Sequence, residues 1–183
     1  MDDFFTNYQY SLSNLTISGS QSNLNIPASS GVNKLSIVNM PNLAGLTFSD
    51  PTTLNSLSLL SLPALTYIDF SIFLNLDSLF LNSLPALSQV YLSNNPGLKS
   101  LEIIDLPLNF IYLYGANSLN YIIINNTNLT SLDLSSNTQL NTFNCDNNTS
   151  LSAINLNGAD SLYSFDLSNN ASLLSLDLSA NTQ

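Results

Sequence analysis

The chain has 183 residues, enough for one domain with a sizeable core. Two lysines, Lys34 and Lys99, stand with no Arg and no His against twelve carboxylates, a net charge of −10 that leaves nothing to neutralise a phosphate backbone and excludes nucleic acid as a partner. Without His there is no Ser-His-Asp or Cys-His base, no imidazole metal ligand and no imidazole switch.

Charged residues make up 8% of the chain and apolar residues 44%, so Asn, Ser and Thr have to carry the solvation. The opening MDDFFTNYQY has neither a basic nor an apolar leader region, and no apolar run is long enough to cross a bilayer. Neither a signal peptide nor a membrane span is therefore expected. Either the chain acts inside a cell or it begins after a removed leader; a starting Met on an otherwise mature-looking chain fits the second, and an extracellular or cell-surface location is expected.

Residues 1–11, with Phe4, Phe5, Tyr8 and Tyr10, follow no repeat and form a candidate cap; residues 12–183 are one repeating array. The pattern L-x-x-L-x-L begins at Leu12, Gln21, Val32, Leu43, Leu54, Leu65, Leu76, Leu87, Leu98, Leu108, Leu119, Leu129, Leu140, Leu151, Leu162 and Leu173, a step of eleven residues with three shortenings. A longer period lies above it. Met40, Leu62, Leu84 and Leu106, each followed by Pro, are 22 apart, with Pro51, Phe73, Asn95 and Ala116 between them. The repeat is thus a 22-residue coil of two similar halves, and sixteen halves make about eight coils.

Within a half, positions four and six are two apart and share one side of an extended segment, while positions three, five and seven face the other side. Each half predicts a strand of three or four residues, ended by turn formers such as SNNPG, SSNTQ and SNNAS. No segment keeps a helical period. The fold class expected is all-β, a flattened solenoid with short parallel strands on both sides, little or no helix, and a length of roughly 35 to 40 Å at the spacing of paired strands.

L-x-x-L-x-L-x-x-N resembles the leucine-rich repeat, and the doubled half resembles the bacterial nested type with two LxxLxL halves in one repeat of 21 or 22 residues. The resemblance runs over residues 12–181. It implies that Asn95, Asn137, Asn148, Asn170 and Asn181 turn inward and bond the backbone of neighbouring coils. Met40, Leu62, Leu84 and Leu106 depart from it, so no continuous amide ladder is expected in the N-terminal half.

Sorting outward positions by the longer period gives two faces. On one, position five runs Asn25, Thr47, Asp69, Tyr91, Tyr112, Asp133, Asn155, Asp177, and position three contributes Tyr67 and Phe110. Tyr67, Tyr91, Phe110, Tyr112 and Tyr114 are therefore expected to cluster on the middle coils with Asp69 and Asp133 at the margins, and these seven residues are the candidate binding site. The opposite face turns apolar around Phe80, Ile104, Tyr121 and Ile123.

The single Cys145 falls at an inward position and reads as a small buried apolar residue. Asp133 and Asp177 stand two coils apart, about 9 to 10 Å, but nothing around them builds a cleft, so catalysis is not expected. No acidic calcium loop occurs, and neither a metal nor a cofactor is expected. The sequence reads as a non-catalytic recognition or adhesion module for a protein or glycan partner. The alternative is a structural subunit that stacks on copies of itself through uncapped ends and apolar faces, since the chain stops on an ordinary half, LSLDLSANTQ.

Overall fold

The structure, a computed structural model, describes residues 13–28, 31–176, 178 and 181. The expected cap over residues 1–11 lies outside them, as does Asp177. In chain order the strands are β1 (Asn14–Ile17), β2 (Asn23–Ile26), β3 (Lys34–Val38), β4 (Gly45–Phe48), β5 (Ser56–Leu60), β6 (Ser78–Asn82), β7 (Gln89–Tyr91), β8 (Ser100–Ile104), β9 (Phe110–Tyr112), β10 (Tyr121–Asn125), β11 (Ser131–Asp133), β12 (Thr142–Asn144), β13 (Ala153–Asn155) and β14 (Ser164–Asp166).

One side of the coil is a single parallel sheet of eight strands in the order β1-β3-β5-β6-β8-β10-β12-β14. Its register aligns equivalent positions from coil to coil: Leu57 with Leu79, Leu79 with Leu101, Leu101 with Ile122, Ile122 with Phe143 and Phe143 with Phe165. Positions four and six of these strands point inward as the alternation requires, and the column from Leu57 to Phe143 is fully buried. Each such side chain contributes about 1.5 to 3 kcal/mol of transfer free energy before chain entropy is set against it.

The other side differs from the expectation of one uniform rank of strands. It is built of three separate pairs, β2-β4, β7-β9 and β11-β13. Between β4 and β7 the chain instead makes a 3-10 turn at Phe70–Ile72, capped by the Asp69 side chain, which accepts a hydrogen bond from the Ser71 amide. The cause lies beneath it. Phe70 and Phe73 are both fully buried, and Phe73 meets Phe48 edge to face at 4.8 Å. Phe73 closes this half where other halves end in Pro, Ala or Asn, and the bond from the Phe73 amide to the Phe70 carbonyl winds the intervening chain into a turn.

The corners follow from residue chemistry. Where the chain leaves the continuous face from β3 onward, one residue of each coil is in the left-handed region: Asn39, Ser61, Ser83, Asp105, Asn126, Asn147 and Asn169, with φ between 53° and 60°. Short polar side chains tolerate that conformation, which otherwise favours glycine. Immediately after three of these residues, Met40-Pro41, Leu62-Pro63 and Leu84-Pro85 each open a turn in which the residue before Pro accepts a bond from the amide three positions later. Pro at the second place of such a turn is preset for it, which accounts for the apolar-Pro pairs. At Leu106-Pro107-Leu108 the half is one residue short, and the bond runs from the Leu108 amide to the Leu106 carbonyl, a three-residue turn.

The amides implied by the resemblance do turn inward. On the continuous face Asn148 Oδ1 accepts from the Thr127 amide and hydroxyl, its Nδ2 donates to the Ile124 carbonyl, and its own amide donates to Asn170 Oδ1. The interrupted side alternates Asn with residues that lack an amide side chain. Asn95 Nδ2 donates to the Phe70 and Phe73 carbonyls, Asn137 Nδ2 to the Ala116 carbonyl and Asn181 Nδ2 to the Ala159 carbonyl. All three Oδ1 atoms stay unpaired among the described residues, because the ladder on this side never continues through two successive coils.

Candidate functional site

Two strands and one turn position the aromatic residues. In β9 and the turn after it, Phe110, Tyr112 and Tyr114 alternate outward around buried Leu113 and half-buried Ile111. β7 pairs with β9 so that Gln89 faces Phe110 and Tyr91 faces Tyr112. The Tyr91 and Tyr112 rings stack with centroids 4.9 Å apart and planes 7° from parallel, the spacing of adjacent coils. The Tyr91 hydroxyl donates to Gln89 Oε1 at 2.9 Å. All five candidate aromatics are exposed, from 46% at Tyr91 to 79% at Tyr114, while Leu132 and Leu134 one coil further on are buried.

The 3-10 turn leaves a depression on this face. Tyr67, Asp69, Ser71, Tyr91, Ser93 and Asn94 line it, with a cavity volume of about 320 Å³. Coil packing is tight at its rim: Gly115 has φ 93°, and a Cβ there would sit 2.3 Å from the Ser93 carbonyl oxygen. The structure thus brings Tyr67, Asp69 and Tyr91 together around one groove and sets Tyr112 against the far side of Tyr91. Phe110 and Tyr114 flank Tyr112 along its own strand. Asp133 lies in the next coil, in a separate strand pair.

Both candidate carboxylates also have a local task. Asp69 Oδ1 accepts from the Ser71 amide and hydroxyl, and Asp133 Oδ1 from the Ser135 amide, two residues on in each case. The same Asx turn recurs at Asp50 with Thr52 and at Asp166 with Ser168. The Ser135 amide, then its hydroxyl and the Asn155 amide group, hold the Asp133 carboxyl below the usual aspartate range, so it is ionised at neutral pH. The residues Ser71, Ser93 and Asn94 were not among those the sequence pointed to. The D-x-S spacing at 69–71 was the available sign of a turn there.

The opposite, continuous face carries Phe80, Ile104, Tyr121 and Ile123, each half-buried, with Phe80 and Ile123 on either side of Glu102 in the sheet. Its ion pair, Lys99 Nζ to Asp77 at 3.1 Å, is solvent-exposed and stabilises little. Cys145 is buried with Asn148 Nδ2 at 3.2 Å from its sulfur, and burial pushes its thiol up to about 12. Among the described residues no group of three or more His, Cys, Asp or Glu is placed to hold a metal, and no helix is long and apolar enough to cross a membrane.

No protein-family model matches the chain, and no curated protein matches it. Among solved structures, the functional domain of InlJ from Listeria monocytogenes, described as including a cysteine ladder, is similar at 19% identity, over 85% of this chain and 52% of that one, with a TM-score of 0.40. The chain therefore spans about half the length of that structure. Its own register, two LxxLxL halves per coil stacked in parallel with the leucines inside, makes the fold a leucine-rich-repeat-type solenoid.

Proposed function

We propose that this chain is a non-catalytic recognition module, acting outside the cell or on its surface, that binds a protein or glycan partner through the middle coils of its interrupted face. The observation that carries this reading is the exposed aromatic group of Tyr67, Tyr91, Phe110, Tyr112 and Tyr114, five rings on one face whose surface stays largely in solvent. Asp69 and Asp133 bound the group and would set the register of a partner by charge and hydrogen bonds. Concave repeat surfaces of successive coils are the usual contact area of solenoids.

The test is the adherence of purified wild-type protein and of the Tyr91→Ala, Tyr112→Ala double variant to intact cells and to arrays of extracellular proteins and glycans. Loss of adherence in a variant that keeps its β-sheet circular dichroism supports the reading. Equal adherence of the two proteins retires the aromatic face. Light scattering against concentration tests the self-stacking alternative, which predicts growth of mass with concentration.

A further inference from the structure

We infer that the groove between Tyr67 and Tyr91 is an arginine-binding site: the interrupted face takes a guanidinium group of a basic partner, stacked on the free face of Tyr91 and paired with the Asp69 carboxylate. This deepens the proposed function and rests on it.

Three observations converge. The first is the geometry of the position-five rank, which reads Asp69, Tyr91, Tyr112, Asp133 in successive coils. Because Tyr112 stacks on one side of Tyr91, each ring has a single outer face. That of Tyr91 borders the groove it shares with Asp69, and that of Tyr112 is on the side of Asp133. An aromatic face carries negative charge density and attracts cations, arginine above lysine because the planar guanidinium also stacks.

Second, the carboxylate has capacity left. The turn engages Oδ1 of Asp69, while Oδ2 has no partner among the described residues. Ser71, Ser93 and Asn94 line the same groove and offer further acceptors for the five donors of a guanidinium.

Third, the cations are confined to the other face. The halves of each side contain five carboxylates, Asp50, Asp69, Asp133, Asp160 and Asp177 on the interrupted side and Asp77, Glu102, Asp105, Asp146 and Asp166 on the continuous one, but both lysines belong to the continuous side, so the interrupted side has no cation of its own to compete for Asp69. The net charge of −10 draws a basic partner and repels anionic glycans, and this side has no lysine to offset it. A neutral sugar would use the rings and the carboxylate acceptors but would draw nothing from the net negative charge.

The experiment titrates the whole protein with tetra-arginine amide and tetra-lysine amide, followed by calorimetry. Tetra-arginine is expected to bind about fivefold or more tighter than tetra-lysine, and both to weaken as salt rises from about 0.05 to about 0.5 M. Asp69→Asn and Tyr91→Ala should each weaken tetra-arginine about tenfold, Tyr91→Phe should retain binding, and Glu102→Gln on the opposite face should change it less than about twofold. Equal affinity for the two peptides, or equal effects of Asp69→Asn and Glu102→Gln, would show diffuse charge alone and overturn the site. Salt-independent binding of a neutral oligosaccharide, lost in Tyr91→Ala, with no peptide bound, would overturn the arginine assignment while leaving the recognition module standing. Only unchanged adherence of the double tyrosine variant removes the module itself.

Discussion

The two faces of the solenoid are made from the same half-unit, yet one is an unbroken eight-stranded sheet and the other three short pairs with a turn between the first two. On the continuous face, every coil from β3 to β10 offers five residues to the ladder, inward leucines and isoleucines are covered on both sides, and the outward apolar residues are half-buried by their neighbours. On the interrupted face, the strands have three or four residues and project exposed rings, whereas the apolar residues of β3, β5, β6, β8 and β10 are all buried or half-buried. The longer, unbroken ladder predicts that the first face carries more of the stability. The second is relieved of that task and free to carry shape.

The largest effects should separate the faces by stability. Leu101→Ala in β8 removes a fully buried side chain from the middle of the continuous sheet and should cost about 2 to 5 kcal/mol, whereas Ile111→Ala at the half-buried equivalent in β9 should cost about half as much; urea midpoints compare them directly.

Next come the amides. Asn148 connects Ile124, Thr127 and Asn170 across three coils, so Asn148→Ala strands several buried groups and should cost about 2 to 4 kcal/mol. Asn137→Ala breaks a bond to Ala116 and removes an oxygen that was already unpaired, so its cost should be about 1 kcal/mol. Equal losses for Asn148→Ala and Asn137→Ala in thermal melts would mean that the ladders on the two sides are equivalent.

The smallest effect is a titration. The Asp133 carboxyl is held below its ordinary 3.8 in the folded chain, so the unfolded chain takes up the proton first as pH falls. Its contribution to stability is complete above that ordinary value and disappears as pH drops through the lower folded value. Asp133→Asn keeps an acceptor for the Ser135 amide without a titrating group, and it should flatten the acid limb of the stability curve slightly while leaving neutral-pH stability nearly unchanged.

Much of this was legible in the sequence, for physical reasons that differ by region. An eleven-residue step leaves only one way to put Leu57, Leu79, Leu101 and Ile122 on one side, so the register of the continuous face and the pairing of Tyr91 with Tyr112 follow from counting. The interruption does not follow. Phe70 and Phe73 occupy places where apolar residues are ordinary, and only their bulk, packed with Phe48, turns the chain there into a 3-10 turn and leaves the groove beside Tyr67. Likewise Asp69 and Asp133 stand out as margins of an aromatic patch, whereas their bonds to Ser71 and Ser135 depend on a turn geometry that composition alone does not fix.

Outward residues of successive coils form ranks, so that distance follows face and not sequence separation. In a Cys145→Ala background, pyrene attached to the Tyr91→Cys, Tyr112→Cys pair should give strong excimer emission, because these positions face each other in β7 and β9. The Tyr91→Cys, Glu102→Cys pair, closer along the chain but on opposite faces, should give none. Excimer from the second pair, or its absence from the first, would contradict the register on which the whole account rests.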